Sequence, residues 1–73
     1  MERENSTNMK KGHITWRWTD TEGDPHHVKD NVVEYYVGLG RWLTYVDSVT
    51  AAHVLGKAIL GGVATQCDEY DEV

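Results

Sequence analysis

A single cysteine, Cys67, in a chain of 73 residues removes the two devices by which chains this short most often hold a fold. About 70 residues is near the lower limit at which one hydrophobic core suffices without disulfides or a structural metal. One thiol closes no internal bridge, and the sequence has neither a CxxC pair nor a Cys/His quartet at finger spacing. Any fold must therefore rest on one small apolar core, which bounds the chain to a single domain and makes a reducing interior its natural setting. Apolar residues reach 40%, with three Trp, four Tyr and no Phe, enough for such a core and too many for global disorder. No basic start followed by an apolar run is present, and no stretch approaches the ~20 apolar residues of a membrane span, so neither a signal peptide nor an inserted segment is expected.

Residues 1–11, MERENSTNMKK, have no apolar periodicity and only two Met as large hydrophobes, so they are expected to form a mobile leader, with order beginning near Gly12. From His13 the run HITWRWTD alternates, placing Ile14, Trp16 and Trp18 on one face of an extended chain and Thr15, Arg17 and Thr19 on the other. TDTEGDP stacks turn formers: Gly23 admits a positive φ, and Pro25 pushes Asp24 toward an extended conformation. Residues 26–30, HHVKD, carry little pattern. The stretch NVVEYYVGLGRWLTYVDS fits two strands, 32–37 and 41–47, joined across Gly38-Leu39-Gly40; Asn31 and Glu34 also match a capping box that would start a short helix. Its β-branched and aromatic content favours strands.

At Ser48 the pattern becomes helical. Asp47 or Ser48 caps SVTAAHVLGKAIL and Gly61-Gly62 ends it. Val49, Ala52, Gly56, Ile59 and Leu60 lie near one face, with Leu55 at its margin, and that face is expected to dock on the sheet. VATQC could add a last strand. CDEYDEV is expected to be an acidic tail that buries too little apolar surface to be held, so that deleting residues 68–73 should leave the melting temperature almost unchanged. The expected architecture is α+β: a small antiparallel β-sheet, hairpin or meander, packed by one C-terminal helix over residues 12–67, between flexible termini at 1–11 and 68–73.

Four His and one Cys raise the question of a metal, above all His26-His27 beside Asp24. Adjacent residues of an extended chain point to opposite faces, and no second spaced pair is present, so no metal and no cofactor is expected. Ser48 and His53 do not make a nucleophile with a positioned base, and no enzymatic activity is expected. Asp20, Glu22 and Asp24 alternate like a calcium loop but lack the bidentate Glu at its end, which leaves a solvated turn. Trp16-Arg17-Trp18 combines residue types that dominate interface hot spots, although both Trp equally suit a core. TAAHVLGKA matches in part the first helix of a helix-turn-helix, but no second helix rich in Arg, Lys or Asn follows.

Charge is distributed unevenly. Of the net −5, residues 1–12 carry +1, residues 13–67 carry −2 and residues 68–73 carry −4. The balance opposes phosphate binding by the chain as a whole, with Arg3, Lys10 and Lys11 as a small basic arm.

In its total length, the polar leader MERENSTNMKK, the Trp-bearing strand ITWRWTD and the acidic end CDEYDEV, the chain resembles the very small host-takeover proteins of lytic bacteriophages. Among these it is similar to the short regulators of Xanthomonas phages that bind host RNA polymerase. The resemblance implies a non-enzymatic protein of the host cytoplasm that contacts polymerase core subunits near the RNA exit region. It implies displacement of the promoter-specificity factor at initiation and readthrough of terminators, with host elongation factors as further partners.

From the residues themselves, the expected partner contacts are Arg3, Lys10 and Lys11 on the leader and Arg17 and Trp18 on the folded body of a monomer. Two alternatives stand beside this reading. An acidic DNA mimic directed at a host nuclease or defence enzyme would use Asp20, Glu22, Asp24 and the tail. A small DNA-binding regulator would use the basic arm.

Overall fold

The structure, a computed structural model, describes residues 11–72. Five strands and one helix follow one another as β1 (Lys11–Thr19), β2 (Pro25–Lys29), β3 (Val32–Tyr36), β4 (Trp42–Thr44), α1 (Ser48–Leu60) and β5 (Thr65–Glu72). All pairings are antiparallel, in the order β4-β3-β2-β1-β5. The α+β class with a small antiparallel sheet and one helix is as expected, but the helix is not the last element.

Local chemistry sets each reversal. Between β1 and β2 the Asp20 side chain accepts from the backbone N–H groups of Glu22 and Asp24, both at 2.9 Å, and Gly23 takes φ 88°. Between β2 and β3 only Asp30 and Asn31 intervene, with φ 52° and 67°. Two consecutive left-handed residues make the primed two-residue hairpin turn, and Asp and Asn are among the few non-glycine residues that tolerate it. This tight turn lets Pro25–Lys29, unremarkable as a string, pair as a strand, with Asp30 already in the reversal. Between β3 and β4 the Gly38-Leu39-Gly40 loop has positive φ at all three residues, and Tyr36 Oη accepts from Gly40 N–H at 2.8 Å. Two strands are present as composition favours, but shorter than the expected 32–37 and 41–47, at Val32–Tyr36 and Trp42–Thr44, and no helix starts at Asn31.

The alternation of β1 is broken at Thr15. Trp16 faces Val28 of β2 while Ile14 faces Lys29, so three consecutive residues of β1 span two of β2, a β-bulge. A strand turns successive side chains to opposite faces, so one extra residue flips everything before it. Trp16 and Trp18 remain with Val28 and Val33 in the core, whereas Ile14 joins the face of Lys29 and Arg17. The expectation that Ile14 shares a face with both Trp is therefore corrected. Period-two reading of a single strand cannot register an insertion defined against its neighbour.

Helix α1 begins where expected: Asp47 is the N-cap, accepting from Thr50 N–H at 2.7 Å, which holds its carboxyl below the ordinary range. At the other end Gly62 takes φ 72° and Val63 N–H returns to the Ala58 carbonyl. The buried face is not the expected one. Ala58 is buried, and Ala51, Val54 and Leu55 pack with it on Trp16, Trp18, Val28, Val33 and Tyr45. At 100° per residue Val49, Ala52, Gly56, Ile59 and Leu60 lie on the opposite side, and Val49 and Leu60 are 78% and 90% exposed. The helix is apolar on both sides, so periodicity alone could not choose between them. The packed face combines two small residues, Ala51 and Ala58, with two larger ones, Val54 and Leu55, against the rings of the sheet.

The acidic end is also ordered. Residues 65–72 form β5 along the outer side of β1, from Arg17 opposite Thr65 to Lys11 opposite Glu72, in place of the disordered tail expected from residue 68. Backbone hydrogen bonds do not depend on apolar side chains. Asp68 further pairs with His13, Glu69 with Arg17, and the Tyr70 ring stacks on His13 at 4.6 Å. These three contacts give an apparently unanchored sequence side-chain partners across the ladder.

Candidate contact surfaces

The sheet has two unlike faces, and the adjacent histidines define them. On the face toward α1, His26 is buried and stacks on Trp18 at 4.9 Å, with Tyr35 and Tyr45 completing an aromatic surround. The Asp24 carbonyl, 2.9 Å from Nδ1, can only accept, so Nδ1 carries the proton. Nε2 of the neutral ring then accepts from the Tyr45 hydroxyl at 2.8 Å. Burial raises the Tyr45 pKa and keeps that hydroxyl protonated for this role. The Asp20 carboxyl is held below its ordinary range, first by the Asp24 N–H, and stands 3.9 Å from His26 Nδ1.

A cleft of about 510 Å³ opens beside this group, with Trp18, Asp20 and Tyr45 on one wall and Lys57 and Val63 on the other. A second, of about 560 Å³, runs under the first half of α1, floored by Trp16, Val28 and Val33. Every ring nitrogen of His26 is already bonded within the chain, so His26 ties the turn after β1 to the segment before α1. The divergence of His26 and His27 expected from an extended backbone is observed.

On the face turned away from α1, Arg17, His27, Glu34 and Thr44 lie in one cross-strand row. His27 is 3% exposed; its ring lies on Trp42 at 3.8 Å, and Nε2 donates to Glu34 Oε1 at 2.7 Å. Its Nδ1 has no partner in either protonation state. Tyr36 packs at a tilt on the far side of Trp42, 5.1 Å between rings. Arg17 is exposed, and its Nε–H donates to Glu69 Oε1 at 2.7 Å, which orients the guanidinium.

Of the contacts expected from sequence, Arg3 and Lys10 lie outside the described residues, and Lys11 opens β1. Arg17 is on the surface. Trp18 is 7% exposed in the core, on the opposite side of the sheet from Arg17, so the two do not share a contact patch. Trp42 and Tyr36, each half-buried, lie on the same face of the sheet as Arg17, three and two strands away. The sequence analysis missed this shared face, because it depends on the register of four strands. Cys67 is half-buried with its thiol directed at the Ile14 carbonyl, and burial raises its pKa, so it is a poor nucleophile.

Compared with protein families, characterised proteins and solved structures, the chain has no match. Among the described residues no helix is long and apolar enough to cross a membrane.

Proposed function

We propose that this chain is a non-enzymatic binding protein that engages its partner through the sheet face turned away from α1, and that the partner is host RNA polymerase. The observation that supports a binding face is the grouping of exposed Arg17 with half-buried Trp42 and Tyr36 on one side of a rigid sheet. Arg, Trp and Tyr are the residue types that carry most interface energy, and sheet residues are already ordered, so little conformational entropy is lost on contact. The polymerase, displacement of its specificity factor and readthrough of terminators come from the likeness to small phage regulators. In this reading the basic residues Arg3, Lys10 and Lys11 lead into β1, and Arg17 lies further along the same strand. Leader and sheet face then make one continuous contact of roughly 800 Å², enough for a specific complex. The host cytoplasm is the corresponding location.

The mimicry reading loses ground on one point. Asp68 and Glu69 are engaged by His13 and Arg17, and the Asp20 carboxyl is occupied by backbone N–H groups, so three of the carboxylates a mimic would present are partly neutralised.

The test is binding of purified polymerase core to immobilised full-length protein, beside Arg17→Glu and a chain lacking residues 1–10, each checked for fold by circular dichroism. Binding by the full chain, weakened about tenfold or more by either change, is the expected result. No binding by the full chain would end the polymerase reading. Binding untouched by Arg17→Glu would remove the sheet face from it.

A further inference from the structure

We infer that Leu39 is the anchor of the contact face proposed above, on which this assignment rests, and that its side chain enters an apolar, acid-rimmed pocket of polymerase core. Among the described residues Leu39 is the most exposed of the large hydrophobic side chains, at 95%. One exposed leucine is ordinary on a protein surface. This one also has φ 58°, in the left-handed region that residues other than Gly, Asn and Asp seldom occupy. Asp30 and Asn31, the other non-glycine residues with positive φ among those described, are of the types that tolerate it. Glycine or asparagine in place of Leu39 would make the same turn without strain and without apolar surface in water. Neither the turn nor the core therefore accounts for a leucine there, and strain held at an exposed tip points to contact.

The loop that carries Leu39 is braced. Arg41 N–H donates to the Gly38 carbonyl and Val37 N–H to the Arg41 carbonyl, both at 3.0 Å. Gly40 N–H donates to Tyr36 Oη at 2.8 Å, which places the Leu39 Cα within about 5 Å of that hydroxyl. Tyr36 lies on the sheet face away from α1 with its ring against Trp42. A surface that covers Tyr36 and Trp42 therefore meets Leu39 as well. A side chain carried on backbone already fixed loses less freedom on contact than one on a loose loop.

Charge describes the pocket. From Tyr35 to Val46 the chain holds no carboxylate and a single cation, the exposed Arg41, in a protein of net charge −5. An apolar tip with a guanidinium two residues on fits a pocket lined by aliphatic or aromatic groups and bordered by Asp or Glu. The competing site is the chain's own apolar cleft in a second copy, floored by Trp16, Val28 and Val33. Tip and cleft are different patches, so that contact would build rings or filaments from molecules that each carry −5 and repel one another.

The experiment is binding of purified polymerase core to immobilised full-length protein, beside Leu39→Asn, Leu39→Met, Arg41→Gln and Arg17→Glu. Asn adopts left-handed φ readily and removes the apolar tip, so Leu39→Asn should melt no lower than the original and bind about tenfold or more weakly. Leu39→Met keeps an apolar side chain of similar volume and should bind within about threefold of the original. Arg41→Gln should weaken binding about threefold at low salt and less at high salt; an unchanged affinity would overturn the acidic rim. A full chain that binds, is weakened by Arg17→Glu and is left within about twofold by Leu39→Asn would overturn the anchor while the contact face stands. Leu39→Met as weak as Leu39→Asn would also overturn it, since the loss would then not follow apolar contact. No binding by the full chain would end face and anchor together. Sedimentation of the full chain up to about 0.5 mM should hold at 8.3 kDa. A mass that climbs with concentration in the original and not in Leu39→Asn would give the tip to a second copy and overturn the assignment.

Discussion

His26 and His27 are neighbours in the chain, are equally buried, and live in two different proteins' worth of chemistry. His26, under the helix, has both ring nitrogens bonded and is wrapped by Trp18, Tyr35 and Tyr45. His27, on the other side of the sheet, has one nitrogen on Glu34, the other unpartnered, and a single ring, Trp42, stacked against it. An unsatisfied buried nitrogen carries a desolvation cost that a core residue rarely bears. The helix side carries the hydrophobic cluster of Trp18, Val28, Val33 and Ala58, whereas the far side carries the exposed ion pair of Arg17 with Glu69 and the half-buried Trp42 and Tyr36. A sheet one strand thick can separate the two settings because alternate residues of the same strand serve opposite faces.

The comparison breaks first, and most severely, at tryptophan. Trp18→Ala should cost about 3–5 kcal/mol, a large share of what a domain of this size possesses, and Trp42→Ala on the far face roughly half as much or less. Urea denaturation of both variants measures the difference; equal losses would mean that the two faces share the core. Next comes the acidic strand. Removing residues 68–73 takes away the outer ladder of β1 together with the partners of His13 and Arg17, and should lower the melting temperature by about 10 °C. An unchanged melting curve would restore the reading of this segment as a tail.

Tyr45→Phe leaves His26 Nε2 buried without a donor and should cost about 1–3 kcal/mol, while Glu34→Gln, which keeps an acceptor beside His27, should cost under about 1 kcal/mol. The reverse order would place the critical histidine on the other face. Acid sharpens the picture further. Because the Asp20 carboxyl is depressed below 3.8 in the folded chain, its contribution is present above that pH and disappears as pH falls through the folded value. Asp20→Asn should therefore lose stability at pH 6 and show a flatter decline below pH 4 than the original, as thermal melts across pH ~2–6 would reveal. The smallest effect on folding belongs to Arg17. Its ion pair with Glu69 is exposed, so Arg17→Ala should stay within about 0.5 kcal/mol of the original, while under the proposed function it should weaken binding to polymerase core.

Much of the architecture was legible from residue order. The strand over Lys11–Thr19, the turn formers around Gly23, two strands across Gly38-Leu39-Gly40, the second of them shortened to Trp42–Thr44, and the Asp47-capped helix ending at Gly61 all stand in the structure. Each is a local preference, decided within a few residues by side-chain branching, allowed φ or a capping oxygen. The residues of the proposed contact face were less legible. Arg17 could be assigned to a surface from alternation alone, but its companions Trp42 and Tyr36 reach it only through β2 and β3.

What the sequence determined by itself is therefore the identity of β1, β3, β4 and α1 and the sign of the charge along the chain. Tertiary structure alone decided three things. The bulge at Thr15 moved Ile14 to the other face, because an inserted residue exists only relative to the neighbouring strand. Packing on the sheet made Ala51, Val54, Leu55 and Ala58 the buried side of α1, because hydropathy alone does not separate two apolar faces. And β1 held the acidic end as a strand, because a sheet edge offers hydrogen bonds to any backbone that can lie along it.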